Sequence, residues 1–149
     1  MTFINIFVLR KSISQKNIYW NWPYFFCPRS ILLYFIFTGT FSGLDHLEII
    51  DLSYNHLKEL LGHEFIGAVS LRELFLEHNQ LVTISKNTFK SLKQLTVLKL
   101  DGNLLIDFPI WELSSNKFLN SLTLSSNWWE CECTFVRKFR MFIDTLGNR

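Results

Sequence analysis

The stretch LEIIDLSYNHL, residues 47–57, recurs three more times along the chain with variations. The later copies are LRELFLEHNQL from residue 71, LTVLKLDGNLL from residue 95 and LNSLTLSSNWW from residue 119. Each copy begins 24 residues after the one before it, without an insertion. Positions 1, 4, 6, 9 and 11 read Leu, Leu or Ile, Leu, Asn and Leu, and only Trp129 departs from this set. A fixed period of this length predicts a solenoid of stacked coils.

The residue types explain how such coils would fold. In L-x-x-L-x-L the fourth and sixth side chains point inward from a short strand, because side chains alternate along a strand. An Asn follows, and its amide can bond the backbone groups that a turn leaves unpaired. We therefore predict a structural asparagine ladder that consists of Asn55, Asn79, Asn103 and Asn127.

Two more sets of apolar residues keep the same spacing and would form the opposite wall. They are Phe41, Phe65, Phe89 and Leu113 in one phase, and Leu60, Ile84 and Phe108 in the other. These features identify the leucine-rich repeat. The fold class that this implies is α/β: a solenoid with a short parallel β-sheet on the concave face and loops or short helices on the convex side. Phe135, Phe139, Phe142 and Ile143 fall on one helical face and predict a C-terminal capping helix.

The first 37 residues differ from the rest of the chain. They hold four basic residues and no acid, and their apolar runs are shorter than the roughly 20 residues that span a bilayer. No signal-peptide pattern is present, although a targeting or anchoring role stays open. Pro23 and Pro28 fall at strand positions of a would-be earlier copy, which disfavours a paired strand there.

From this contrast we predict three segments. Residues 1–37 form a non-repeat leader, poorly structured or misjoined, residues 38–129 form the repeats and residues 130–149 form a truncated C-terminal cysteine cap. The apolar side of the first coil would then be poorly covered. From residue 38 onward the chain has eleven bases and thirteen acids, so its overall charge of +2 comes from the leader and does not support nucleic-acid binding.

Cys131 and Cys133 are separated by one residue near the end of the chain. In an extended segment their Cα atoms would lie about 6.6 Å apart, near the upper limit for a disulfide. Neither His nor a second cysteine pair lies nearby to complete a tetrahedral metal site. The pair resembles the C-terminal flanking cap of extracellular repeat proteins. That resemblance implies two disulfides from Cys131 and Cys133 to two later cysteines, which we expect were lost where the chain ends.

A narrower resemblance covers the end of the repeats and the start of this cap. The stretch is similar to insect Toll receptors, members of the Toll-like receptor family, in which an FPxWxL…NxxL repeat runs into NxWxCxC, an aromatic residue and KF. The matching residues are Phe108, Pro109, Trp111, Leu113, Asn116, Leu119, Asn127, Trp129, Cys131, Cys133, Phe135, Lys138 and Phe139. Glu132 stands where the usual cap has Asp.

This resemblance implies a fragment of a cell-surface receptor ectodomain on the extracellular face of the plasma membrane. The ligand implied is a secreted cystine-knot cytokine of the Spätzle type, or another receptor ectodomain. Signalling in innate immunity or development runs through an intracellular TIR domain in this family. The chain contains no TIR-like segment, so we expect that it cannot signal alone.

Outward-pointing strand residues are the candidates for binding a partner. Phe75 would be an exposed aromatic beside Lys99, and Glu77 would neighbour Asp101. Because exposed apolar groups and adjacent like charges cost stability, these residues are natural binding candidates. An ordinary repeat surface is the alternative. The candidate concave binding face consists of Asp51, Glu73, Phe75, Glu77, Lys99, Asp101 and Thr123.

The sequence gives weaker support for catalysis, metal binding or nucleotide binding. The four histidines form no obvious constellation, and phosphate loops, nucleophile elbows and metal-ligand motifs are absent. We therefore predict no enzyme activity, no cofactor, no small-molecule substrate and no nucleic-acid partner. An extracellular adhesion or matrix protein, an intracellular scaffold with reduced cysteines, and a non-functional truncated product remain the alternatives.

Overall fold

The computed structural model describes residues 8–11, 33–130 and 133–147, and the statements below concern those residues. The elements are β1 (Val8–Lys11), β2 (Leu47–Asp51), β3 (Glu59–Leu60), β4 (Glu73–Phe75), β5 (Thr83–Ile84), β6 (Val97–Lys99), a 3-10 helix (Ile110–Ser115), β7 (Ser121–Thr123) and the helix α1 (Cys133–Gly147).

A five-stranded sheet runs along one side of the coils in the order β1, β2, β4, β6, β7. The last four strands are parallel, and their register joins Ile50 to Leu74, Leu74 to Leu98 and Leu98 to Leu122. Each paired residue therefore lies one sequence period from its partner. The leucine-rich-repeat solenoid predicted from the sequence is confirmed.

The interior holds the apolar residues of the repeat motif. Ile50, Leu74 and Leu98 are fully buried, as are the leucines that follow them at the sixth position. On the opposite side, Phe41 stacks on Phe65 and Phe65 on Phe89, with ring centroids 5.7 and 6.3 Å apart. Burial of each such side chain stabilises the fold by about 1.5–3 kcal/mol. One continuous core results, because every coil packs on both of its neighbours.

Three of the four ladder asparagines connect successive coils. Asn79 Nδ2 donates to the carbonyl oxygen of Leu52 in the preceding coil at 2.9 Å, and to that of Leu76 in its own coil at 3.0 Å. Asn79 Oδ1 accepts a hydrogen bond from the backbone N–H of Leu57, also in the preceding coil, at 3.0 Å. Asn103 and Asn127 make the same three kinds of bond. Asn55 differs: within the described part of the chain, its Nδ2 donates only to its own coil and its Oδ1 meets no donor.

The N-terminal side of the first coil is covered by parts of the predicted leader. β1 pairs antiparallel with β2, and Leu33 and Tyr34 accept backbone hydrogen bonds from His56 and Lys58 at 3.1 and 3.4 Å. Leu33 also packs on the core. The expectation that the apolar side of the first coil is poorly covered is therefore wrong at these points. The strand β1 and the segment at Leu33 and Tyr34 take the place of an earlier repeat. Residues 12–32 lie outside the described residues, and the division at residue 38 stays a prediction.

The C-terminal helix α1 contacts the 3-10 helix. Phe142 is buried, Phe139 is half-buried, and Lys138 Nζ lies 4.5 Å from the centroid of the Trp111 ring. The side chain of Phe135 lies outside the described part. Ile143 was predicted to share the packed face but is 43% exposed, so that assignment is wrong. Among the described residues, no helix has the length and apolar character to cross a membrane.

Candidate functional site

The predicted binding residues lie on the outward side of the parallel strands, which we call the concave face. Asp51, Phe75, Lys99 and Thr123 pair in register, and Glu73 lies in the column beside them. Neighbouring strands are about 4.8 Å apart, so residues in one column touch. All seven candidates are half-buried, because adjacent columns shield one another. No other described helix or strand packs on this face.

Phe75 is less exposed than its sequence position suggested. Lys99 Nζ lies 5.2 Å from the centroid of the Phe75 ring, so the lysine side chain covers part of the aromatic face. An exposed cation–π contact of this kind contributes about 0.5–1 kcal/mol. Phe75 is half-buried, so the expectation of an exposed side chain is wrong, whereas its predicted position beside Lys99 is confirmed.

Asp101 is held by the next coil. Thr123 Oγ1 donates to its Oδ2, and Ser125 donates to its Oδ1 from the backbone N–H at 2.8 Å and from Oγ at 2.6 Å. Burial alone raises the pKa of Asp101, but these hydrogen bonds outweigh it and hold the pKa below the ordinary value of 3.8. Asp51 is held within its own coil by Ser53, whose N–H and Oγ both donate to Asp51 Oδ1, at 3.0 and 2.6 Å.

Glu77 lacks an equivalent partner. The side chain is half-buried, and its Oε2 atom is buried without a hydrogen-bond donor among the described residues. The two serines at the equivalent position of other coils, Ser53 and Ser125, donate to aspartates instead. A buried carboxylate oxygen without a donor is costly. Within the described part of the chain, Glu77 Oε2 is thus a buried acceptor on the candidate face that receives no hydrogen bond.

A column of left-handed residues borders the concave face. The residue before each ladder asparagine has a positive φ: 54° at Tyr54, His78 and Ser126, and 63° at Gly102. The Tyr54 and His78 rings stack with centroids 4.5 Å apart, and Tyr54 is 64% exposed. Sequence reasoning missed this column, although Gly102 immediately before Asn103 was a usable signal, because Gly adopts positive φ most readily.

A second pair of rings, tilted rather than stacked, lies next to the ladder. The rings of Tyr34 and His56 are 5.8 Å apart, and Gln80 Nε2 lies 2.8 Å from His56 Nδ1. His56 is half-buried and His78 is exposed, and both are in contact with neighbouring side chains. The two ring pairs thus place aromatic and imidazole groups next to the asparagine ladder.

The two cysteines of the predicted cap fall largely outside the part of the chain that the structure describes. Cys131 lies outside the described residues, and Cys133 begins α1 but its side chain is not among those described. Among the residues described, no group of three or more His, Cys, Asp or Glu side chains could hold a metal ion. The arrangement that remains is a preformed surface of charged and aromatic groups, which is suited to recognition.

Comparisons with known proteins agree with this architecture. The family described as Leucine rich repeat matches residues 29–81 and 70–128. Human Toll-like receptor 8 is 36% identical over 98 residues, which are 64% of this chain and 9% of that protein. Leucine-rich repeat-containing G-protein coupled receptor 5 of Rattus norvegicus is 36% identical over 94 residues, 58% of this chain and 10% of that protein. The chain thus spans about a tenth of the length of these relatives.

A solved structure supports the same conclusion. The crystal structure of a TLR13-ssRNA13 complex superposes with a TM-score of 0.64 and 29% identity, over 69% of this chain and 14% of that one. The family match extends over the same coils that share the strand register and the asparagine ladder. We conclude that the chain belongs to the leucine-rich repeat family, as a protein-recognition module similar to Toll-like receptor ectodomains.

Proposed function

We propose that the chain is part of a Toll-like receptor ectodomain on the extracellular face of the plasma membrane, where its concave face contributes to binding a secreted protein ligand. The observation that carries this proposal is the concave face itself, whose charged and aromatic side chains are preorganised while no other described element covers them. Its similarity to Toll-like receptor 8 favours a receptor over other repeat proteins.

The ligand class follows from the charge of the concave face. Asp51, Glu73, Glu77 and Asp101 are acidic and Lys99 is the one base among the seven candidate residues. Nucleic-acid binding depends on cations that neutralise phosphates. The TLR13 structure contains ssRNA13, but this acidic surface favours a protein ligand here. By resemblance to insect Toll receptors, we infer a Spätzle-like cystine-knot cytokine or another receptor ectodomain.

The cysteines fit the same proposal. In a Toll-type cap, Cys131 and Cys133 would pair with two cysteines of the parent receptor beyond α1. Signalling would require the TIR domain of that parent protein. Innate immunity and development are the two settings that the resemblance suggests, and the residues of this chain do not favour either one.

Sequencing the parent transcript across residues 37–41 and past residue 149 tests this proposal. We expect two further cysteines, a membrane-spanning segment and a TIR domain in the same reading frame. A secreted product with repeats but no membrane span or TIR domain would favour the adhesion or matrix alternative. A stop codon directly after residue 149 in every transcript would contradict the receptor proposal and favour a truncated product.

A further inference from the structure

We propose that four lysines on the convex side of the solenoid bind a sulfated polysaccharide. They are Lys86, Lys90, Lys93 and Lys117, which we call the lysine patch. The inference goes beyond the proposed function, because it concerns a different side of the coils and a different class of ligand. The concave face carries mostly acids, so the two sides of the solenoid favour partners of opposite charge.

The ammonium groups of the lysine patch are available to an outside anion. All four side chains are exposed, and within the described part of the chain no ion pair, hydrogen bond or ring contact engages their ammonium groups. By contrast, Lys58, Lys99 and Lys138 each lie over an aromatic ring, at 6.0, 5.2 and 4.5 Å from the ring centroid. The patch therefore presents charges that the fold itself does not use.

Backbone hydrogen bonds bring the lysines of the patch together. Lys90 and Lys93 follow each other through the turns of one loop, since both donate their N–H groups to carbonyl oxygens two or three residues earlier. In the next coil, Asn116 Nδ2 donates to the carbonyl oxygen of Leu92 at 2.7 Å. Because Leu92 precedes Lys93 and Asn116 precedes Lys117, these two lysines lie side by side in adjacent coils.

The surroundings of the lysine patch contain few acids. Residues 85–96 hold three of the lysines and no acid, and residues 113–126 hold the fourth and no acid. Glu112, on the 3-10 helix of the next coil, is exposed, and it pairs with none of the four lysines within the described part of the chain. The patch is thus a local excess of positive charge on repeats that have slightly more acids than bases.

The residue types favour sulfates over a nucleic acid. Lysine presents a compact point charge on a flexible stem, which suits anionic groups that are distributed along a polysaccharide. Single-stranded nucleic acids are usually bound with several aromatic side chains, on which successive bases stack. Phe118 is an exposed aromatic next to Lys117, but a single ring does not provide such a row. A sulfated polysaccharide is therefore the polyanion that fits the patch best.

Fluorescence anisotropy with the full chain tests the proposal. The probe is a labelled heparin oligosaccharide, compared with the same oligosaccharide after removal of its sulfates and with a labelled single-stranded oligo-uridine. We expect the sulfated probe to bind, more weakly at high salt, and the other two probes to bind less. Lys90→Gln combined with Lys93→Gln should weaken binding of the sulfated probe by about three- to tenfold, since each substitution removes an exposed ion pair.

Matched variants separate the lysine patch from general positive charge. Lys58→Gln combined with Lys138→Gln removes the same charge from lysines outside the patch and should leave the affinity unchanged. Lys90→Arg combined with Lys93→Arg retains the charge and should retain the binding. The four basic residues of residues 1–37 are present in every variant, so they do not cause a difference between variants. Urea unfolding of each variant checks that the coils remain folded.

Four outcomes would overturn the proposal: no binding of the sulfated oligosaccharide, equal binding of the desulfated one, an equal loss in the two double Gln variants, or tighter binding of the oligo-uridine. The last outcome would favour a nucleic acid as the ligand of the patch. Each outcome leaves the receptor proposal standing, because that depends on the reading frame of the parent transcript. Conversely, a parent without a TIR domain would contradict the receptor proposal and leave the polysaccharide result unaffected.

Discussion

Tyr54 and His78 stack with ring centroids 4.5 Å apart, and both have a φ of 54°. They precede Asn55 and Asn79, so the left-handed conformation accompanies the turn that each ladder asparagine makes. The solenoid thus imposes one strained backbone position per coil. The side chains at that position form a column along the rim of the concave face.

Gly102 occupies this position in the third coil, and Gly102→Ala should destabilise the protein. A Cβ there would lie 2.6 Å from His78 Nδ1, and φ is 63°. We expect a loss of about 1–2 kcal/mol in the free energy of unfolding, measured by urea denaturation. Gly43→Ala is the matched control, because its φ is 77° but nothing lies within 4 Å of the added Cβ. A larger loss for Gly43→Ala would contradict this explanation.

The asparagine ladder predicts an asymmetry between two similar substitutions. Asn79→Ala leaves the carbonyl of Leu52 and the N–H of Leu57 without this partner, and should cost about 2–4 kcal/mol. Asn55→Ala should cost about 1 kcal/mol, since among the described residues Asn55 bonds only within its own coil. Urea denaturation of both variants measures the difference. Equal losses in the two variants would show that the hydrogen bonds between coils contribute nothing to the free energy of unfolding.

The packing of α1 predicts a contrast between adjacent residues. Phe142 is buried and Ile143 is exposed. Phe142→Ala should therefore cost about 3 kcal/mol, while Ile143→Ala should change stability by less than about 0.5 kcal/mol. Thermal unfolding followed by circular dichroism measures both. A comparable loss in Ile143→Ala would indicate that the helix packs with another face.

Asp101 predicts a dependence of stability on pH. Its pKa is lower in the folded state than the ordinary 3.8, because Ser125 and Thr123 donate to it. The carboxylate therefore contributes stability that is fully present above the unfolded pKa and is lost as pH falls through the folded pKa. Asp101→Asn should be less stable than the wild type at neutral pH, and the difference should shrink below about pH 4. Unfolding free energies measured between neutral and acidic pH test this. A difference that widens in acid would contradict it.

The concave face predicts a loss of ligand binding in the parent receptor. Phe75→Ala combined with Glu77→Lys removes an aromatic group and reverses a charge in the candidate face, and should weaken ligand binding by about tenfold or more. Glu59→Lys on β3 is the control for charge. Surface plasmon resonance with the secreted ligand measures both. Unchanged affinity in the double variant, with normal expression, would reject this face as the binding site.

Much of the fold was predictable because one period repeats. The 24-residue spacing gave the strand register, since Ile50 pairs with Leu74 and Leu74 with Leu98. It also located the asparagine ladder and the phenylalanine wall. These features depend on which residue types recur, and recurrence is visible in a single sequence.

The features that were not predicted from the sequence depend on contacts that do not follow the 24-residue repeat. β1 lies about forty residues before β2 and pairs antiparallel with it, which no repeat pattern indicates. The positive φ of Tyr54 and His78 was hidden because neither residue favours it. On the candidate face, the predicted position of Phe75 beside Lys99 is confirmed, but the hydrogen bonds to Asp101 and the contact of Lys99 with the Phe75 ring depend on side-chain rotamers.

The most direct test of the account is the pattern of backbone contacts between strands, measured by NMR on the isotopically labelled chain. Nuclear Overhauser effects should link β2 to β4, β4 to β6 and β6 to β7 in parallel, each offset by one repeat, with Ile50 facing Leu74. Antiparallel or unpaired strands across residues 47–129 would contradict the stacked coils, and with them the open concave face that we propose for ligand binding.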